Sequence, residues 1–171
     1  MNFSSWDYEY HRQMFARMQY NMDFGNAEAY ADDFTEDAIF DACPPKGARH
    51  TGRHEGRKQI AAMVNMIYGN NLGHARHWLG NHVYVEENDA FVRVLSYVLI
   101  IRAGEVPNAG VILTGMYDDV LVKIGDRWYV KHRKVVADPQ PEHVHKSKDR
   151  LIARYDDLVG RVTADSETPC E

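Results

Sequence analysis

Between Arg76 and Ala137 the chain is built almost entirely of strand-forming residues. Four stretches, Arg76 to Glu86, Ala90 to Arg102, Gly110 to Ile124 and Arg127 to Ala137, are rich in Val, Ile, Tyr and Trp. These side chains fit a pleated, half-buried surface. The breaks between them are short: Glu87-Asn88-Asp89, Gly104 to Asn108, and Gly125-Asp126. Long neighbouring strands joined by short turns make an antiparallel meander. Strands this long on a small domain must coil, so the sheet is expected to be strongly curved.

The first half has a different texture. Trp6 to Met22 reads as a helix whose Met14, Phe15, Met18 and Met22 fall three and four apart on one face. Asp23-Phe24-Gly25-Asn26 breaks it, and Asn26 can cap a short second helix carrying Tyr30 and Phe34. Thr35-Glu36-Asp37 turns the chain into a short strand, Ala38 to Asp41, followed by a Pro44 to Gly47 loop. Gly56 to Tyr68 reads as a third helix with Ile60, Met63, Val64 and Ile67 on one face. After the meander, Asp138-Pro139-Gln140-Pro141 closes the sheet, and Ser147 to Val159 reads as a fairly polar last helix. The layout is α+β, with helices segregated to one face of an antiparallel sheet. Residues 1–160 are expected to form one domain, and 161–171 a polar tail. A curved sheet wrapped on helices is a half-barrel, and its mouth is a natural ligand pocket.

Composition excludes some partners. With 20 Lys and Arg against 25 Asp and Glu, the net charge of −5 argues against nucleic acid or an anionic membrane surface. Apolar runs such as Val98 to Ile101 are far too short to span a bilayer. Cys43 and Cys170 form no framework and no Cys-x-x-Cys, which points to a reducing cytoplasm. The histidine spacings His50/His54, His74/His77 and His143/His145 lack matching carboxylate or cysteine partners, so no metal is expected. There is no Gly-rich phosphate loop and no nucleophile elbow.

Two polar residues sit at suggestive junctions: Asp23 at the end of the first helix, and His77 at the start of the first long strand. A curved sheet closing over the helices can bring them together. An acid beside an imidazole in a dry pocket is a proton-transfer device; the plain alternative is a structural hydrogen bond between helix end and strand. Tyr20 lies one turn before Asp23 on nearly the same face. Its hydroxyl can donate to a substrate oxygen, or the ring can simply pack. Tyr97 and Tyr117 lie near mid-strand, where aromatics lining a cone can stack on a planar substrate or fill the core. Trp78 and His82 also lie on the pocket strand, but face away from His77 if that strand is regular. Arg133 reads as the structural partner of a carboxylate, and Asp41 as a turn residue. Val92, Val94 and Val98, alternating with the Tyr97 face, read as apolar outer positions for a homodimer or homotrimer to cover.

Four stretches together carry a family resemblance. These are Arg17 to Asn26 with its Asp23, Phe34-Thr35-Glu36-Asp37-Ala38-Ile39-Phe40-Asp41, Ala75-Arg76-His77-Trp78-Leu79-Gly80-Asn81, and Gly125 to Arg133. In this order they resemble the SnoaL-like branch of the nuclear transport factor 2-like superfamily, over about Tyr10 to Asp138. The resemblance implies a cone-shaped α+β barrel of the NTF2-like, cystatin-like kind. Within it the chain is most similar to the scytalone dehydratase, bile-acid dehydratase and lindane dehydrochlorinase group, whose lyases use a buried Asp–His dyad. That match places the dyad on Asp23 and His77 and implies a cofactor-free lyase step on a small, apolar, aromatic or polycyclic molecule: dehydration, elimination, or retro-aldol loss of a small aldehyde such as formaldehyde. Cyclases and isomerases share the fold, as does the non-catalytic β subunit of ring-hydroxylating dioxygenases, so the fold alone does not fix the chemistry.

Overall fold

Ser4 starts the first helix with a reciprocal cap. Its hydroxyl accepts from the Asp7 backbone N–H at 3.3 Å, while the Asp7 carboxylate accepts from the Ser4 N–H at 3.0 Å. The computed structural model describes residues 4–42, 52–104 and 109–138. From that cap, α1 (Ser5–Asp23) runs to the junction expected from sequence and is followed by α2 (Ala27–Ala31). Gly25 ends α1 in the left-handed region (φ +73°), with the Tyr68 ring 3.0 Å from where a β-carbon would sit. The chain continues through β1 (Phe34–Ala42), β2 (Gly52–Glu55), α3 (Gly56–Asn70), β3 (Ala75–Glu87), β4 (Val92–Arg102), β5 (Gly110–Ile124) and β6 (Arg127–Ala137).

The strands form one six-stranded curved sheet in the order β2-β1-β6-β5-β4-β3. The β3–β6 meander is antiparallel throughout, as its short turns require. β1 lies parallel to β6, a long-range pairing that closes the sheet over the helices. β1 is also longer than expected: Phe34 to Asp37, read as helix end and turn, already belong to the strand. Phe34 pairs with Val130, and this tertiary pairing overrides the turn propensity of the local sequence.

The core is the apolar stripe of α1 (Met14, Phe15, Met18, Met22), with Tyr30 from α2 and Ile60, Met63 and Val64 from α3, pressed on the concave sheet face. Burying each such large side chain contributes about 1.5–3 kcal/mol. On β4 the concave face carries Val92, Val94, Ser96 and Val98, all buried. This corrects the expectation that the valines face outward. Tyr97 and Leu99 take the convex face instead, because both faces of β4 are apolar and alternation alone gives no contrast to orient them.

The Pro44 to Gly47 loop, the Ser147 to Val159 helix, the 161–171 tail, Cys43, Cys170, His50, His143 and His145 lie outside the described residues. Among the described residues no helix is long and apolar enough to cross a membrane.

Candidate active site

Asp23 is the last residue of α1, where the partial negative charge of the helix disfavours a carboxylate. Two hydrogen bonds from one residue offset this. The His77 backbone N–H donates to Asp23 Oδ2 at 2.9 Å, and His77 Nδ1 lies 2.6 Å from Oδ1. Both side chains are buried, 4% and 7% exposed. A carboxylate can only accept, so the imidazole proton sits on Nδ1 and the lone pair is left on Nε2. His77 Nε2 makes no hydrogen bond among the described residues.

Cross-strand register sets what surrounds this pair. His77 lies opposite Ile100, which lies opposite Leu113. The next inward row is Leu79, Val98 and Gly115, and below it Ser96 lies opposite Tyr117, which lies opposite Val135. Leu79, Ile100, Leu113 and Val135 are only partly buried, so the wide end of the cone is an apolar mouth. Gly115 has to be glycine, since a β-carbon there would lie 2.3 Å from the Val136 carbonyl oxygen.

Tyr117 is the sequence-predicted aromatic that reaches the interior. Burial holds its hydroxyl well above the usual tyrosine range, and the nearby charges of Tyr30, Asp119 and Asp23 push the same way against Arg133. The phenol therefore stays protonated. It makes no hydrogen bond among the described residues, while its ring lies under the Arg133 guanidinium at 4.5 Å.

Three expected residues are not brought to this site. Tyr20 is 68% exposed and stacks on Phe24, with ring centroids 6.3 Å apart. Asp23 stands at the border of the buried α1 stripe, and the 3.6-residue turn carries Tyr20 past that border into solvent. The residue that shares the buried face with Asp23 is Gln19, four positions back. Trp78 (64% exposed) and Tyr97 (55% exposed) lie on the convex face, because each alternates with an inward neighbour, His77 and Ser96.

His82 moves the other way. The strand is irregular: Gly80 lies opposite Tyr97 but Val83 opposite Leu95, with Asn81 left-handed between them (φ 53°). This bulge inserts one residue and restores His82 to the inner face. There its Nδ1 meets Ser96 Oγ at 2.8 Å and its ring packs on Phe15. Burial lowers its pKa, which keeps the ring neutral. The available sequence signal was Gly80-Asn81, residues that tolerate left-handed backbone. Gln19 was also legible, as a polar residue inside an apolar helical stripe.

Deeper in the cone, Arg133 is fully buried and gives two N–H bonds to Asp119, at 2.7 and 2.8 Å, and a third to the Tyr30 hydroxyl at 3.1 Å. This agrees with its structural reading: it ties β5 and β6 to α2. Asp41, buried near the end of β1, lies 3.8 Å from Arg53 on β2, a strand-to-strand pair in place of the expected turn.

No curated protein matches the chain by sequence. Solved structures do match by fold. An NTF2-like protein with a cystatin-like fold from Novosphingobium aromaticivorans aligns with a TM-score of 0.66 at 19% identity, over 81% of this chain and 87% of its own. A candidate scytalone dehydratase from the same organism aligns with a TM-score of 0.62 at 23% identity, over 78% and 85%. The β subunit of a candidate aromatic-ring-hydroxylating dioxygenase, again from that organism, aligns with a TM-score of 0.65 at 16% identity, over 77% and 89%. The SnoaL-like domain profile matches residues 4–134, most of the chain. With that match, and a curved sheet closed over N-terminal helices as in its cystatin-like neighbours, the chain belongs to the SnoaL-like domain family.

Proposed function

We propose that the chain is a cofactor-independent lyase in which His77 is the general base and Asp23 its orienting acid. The observation that carries this is the 2.6 Å contact between two buried side chains that leaves His77 Nε2 bare. In a dehydration, Nε2 takes the proton from a carbon next to the carbon bearing the hydroxyl. The C–H electrons become the new double bond, and the C–O electrons leave with the hydroxyl. That oxygen collects the proton from the imidazolium and departs as water, which returns His77 to its neutral form. Asp23 stabilises the transient imidazolium, and the Tyr117 hydroxyl donates to a substrate oxygen as charge builds there. The apolar rim of Leu79, Ile100, Leu113 and Val135 favours a small aromatic or polycyclic substrate.

A second reading uses the same base. The free Tyr117 hydroxyl can polarise a carbonyl, which supports isomerisation without loss of a group. Assaying wild type and His77→Ala on aromatic alcohols and hydroxy-ketones separates these readings. Loss of water marks the lyase, solvent-hydrogen exchange without loss marks the isomerase, and full turnover by His77→Ala overturns both. The exposed convex-face aromatics Trp78 and Tyr97 further support a homo-oligomer in which a second copy covers them. A sedimentation mass that stays monomeric would remove that part.

A further inference from the structure

Among the described residues, the buried side-chain polar atoms without a hydrogen-bond partner belong to three residues: His11, His132 and Gln19. The two histidines each leave a single ring nitrogen unpaired. His11 packs edge-on against Trp128 and meets the Tyr84 hydroxyl at 3.2 Å, and His132 lies on the convex side of β6. Gln19 is different. It is 4% exposed, and both the oxygen and the nitrogen of its carboxamide are unpaired. Burying an amide with neither group satisfied is costly, and native structures rarely keep one without a use for it.

Its position suggests the use. Side chains four apart on a helix stack on one face. Four residues before Gln19, Phe15 packs on the ring of His82, and four residues after it, Asp23 holds His77. Both contacts are to the inner face of β3, one on each side of the Gly80 to Val83 bulge, and Gln19 lies between them along the helix. It is the neighbour of the dyad along the helix, between the buried Met18 and Met22.

We propose that Gln19 is a substrate-binding residue that selects molecules carrying two oxygens on adjacent carbons, one able to donate and one to accept. Its amide offers one acceptor and donors on a single carbon, pointing the same way. Satisfying both together needs a matching pair at similar spacing, as in a catechol, a vicinal diol or an α-hydroxy-ketone. A lone hydroxyl satisfies one atom and leaves the other stranded. This deepens the lyase reading and rests on it, since it assumes that the ligand lies against the dyad.

The test is binding of a matched pair to the full chain by calorimetry: 2,3-dihydroxynaphthalene, with adjacent oxygens, and 2-naphthol, with one. Wild type is expected to bind the diol about tenfold or more tightly than the mono-alcohol. Gln19→Leu, close in volume but apolar, is expected to bring that ratio to about one by weakening the diol alone, and Gln19→Met to do the same if the leucine variant folds poorly. A purely structural amide would change melting temperature without changing the ratio. Equal binding of the two probes by wild type, no binding of either at millimolar concentration, or an unchanged ratio in both variants overturns the proposal. His77→Ala separates the two readings: if it keeps turnover while the ratio still depends on Gln19, the proton-transfer mechanism falls and the binding assignment stands.

Discussion

The two ends of α1 each bury an aspartate and a histidine, yet their hydrogen bonding differs. At the narrow end, Asp7 is saturated. It accepts from the Ser4 backbone and hydroxyl, from Trp128 Nε1 at 2.9 Å and from Lys123 at 3.1 Å. His11 beside it is wedged between Tyr84 and Trp128, and its unpaired Nε2 is sealed in the core with no exposure. At the wide end, Asp23 receives bonds from one residue only, and around it stand a bare His77 nitrogen, an unpaired Tyr117 hydroxyl and an unpaired Gln19 amide. The lesson is that burial alone does not mark a working acid or base. Under the proposed function, what separates the two ends is unspent hydrogen-bonding capacity that faces an apolar mouth instead of a sealed core.

Four measurements can break or sharpen this contrast. The largest effect is expected for Asp23→Asn, which keeps the shape but no longer enforces the Nδ1–H tautomer. Turnover should fall by about ten-thousandfold with the fold retained by circular dichroism. Activity near wild type would make the wide end as structural as the narrow one.

The next concerns stability. Burial lowers the His11 pKa from 6.5 to about 4, so the folded state keeps the ring neutral while the unfolded chain takes up a proton. That contribution is complete above pH 6.5 and is lost as pH falls through the window to about 4. It amounts to about 3 kcal/mol over the range. Urea titrations of His11→Phe should show a flatter dependence across that window, and an unchanged slope would contradict the assignment.

Tyr117→Phe comes third, with kcat lowered by about a hundredfold and little change in urea midpoint, since its hydroxyl bonds nothing that holds the fold. A large stability loss with normal kcat would move Tyr117 to the structural side. Smallest is Asp7→Asn, at about 1 kcal/mol at neutral pH. The Ser4 backbone bond, and after it Trp128, holds the Asp7 carboxyl well below the ordinary range. Its contribution is therefore present above the unfolded value and lost as pH drops below about 4, so the variant should lose less stability on further acidification.

How much of this could be read in advance depended on the kind of signal. The β5 and β6 limits, Gly110–Ile124 and Arg127–Ala137, follow from turn residues that punctuate them on both sides. Asp23 and His77 were legible as polar residues at element junctions within known motifs. The faces of β4 were not, since valines on one side and Tyr97, Leu95 and Leu99 on the other are equally apolar. Tyr20 was misplaced because one step around a helix separates interior from solvent, and the border of the stripe is set by packing. The parallel pairing of β1 with β6 is a contact across some ninety residues, beyond the reach of any local pattern.

The extra residue at Asn81 also matters for how this chain is compared with its relatives. A homologue lacking it would align position for position through Gly80 and then run one place out of step to the end of the strand. If the gap were placed in the turn at Asn88, where gaps are conventionally put, His82 would be equated with an outward residue, and the faces would stay exchanged as far as the second irregularity between Tyr84 and Glu86. A profile built on such an alignment would score His82 as a surface position and miss its place in the wall. The gap belongs inside β3, at residue 81.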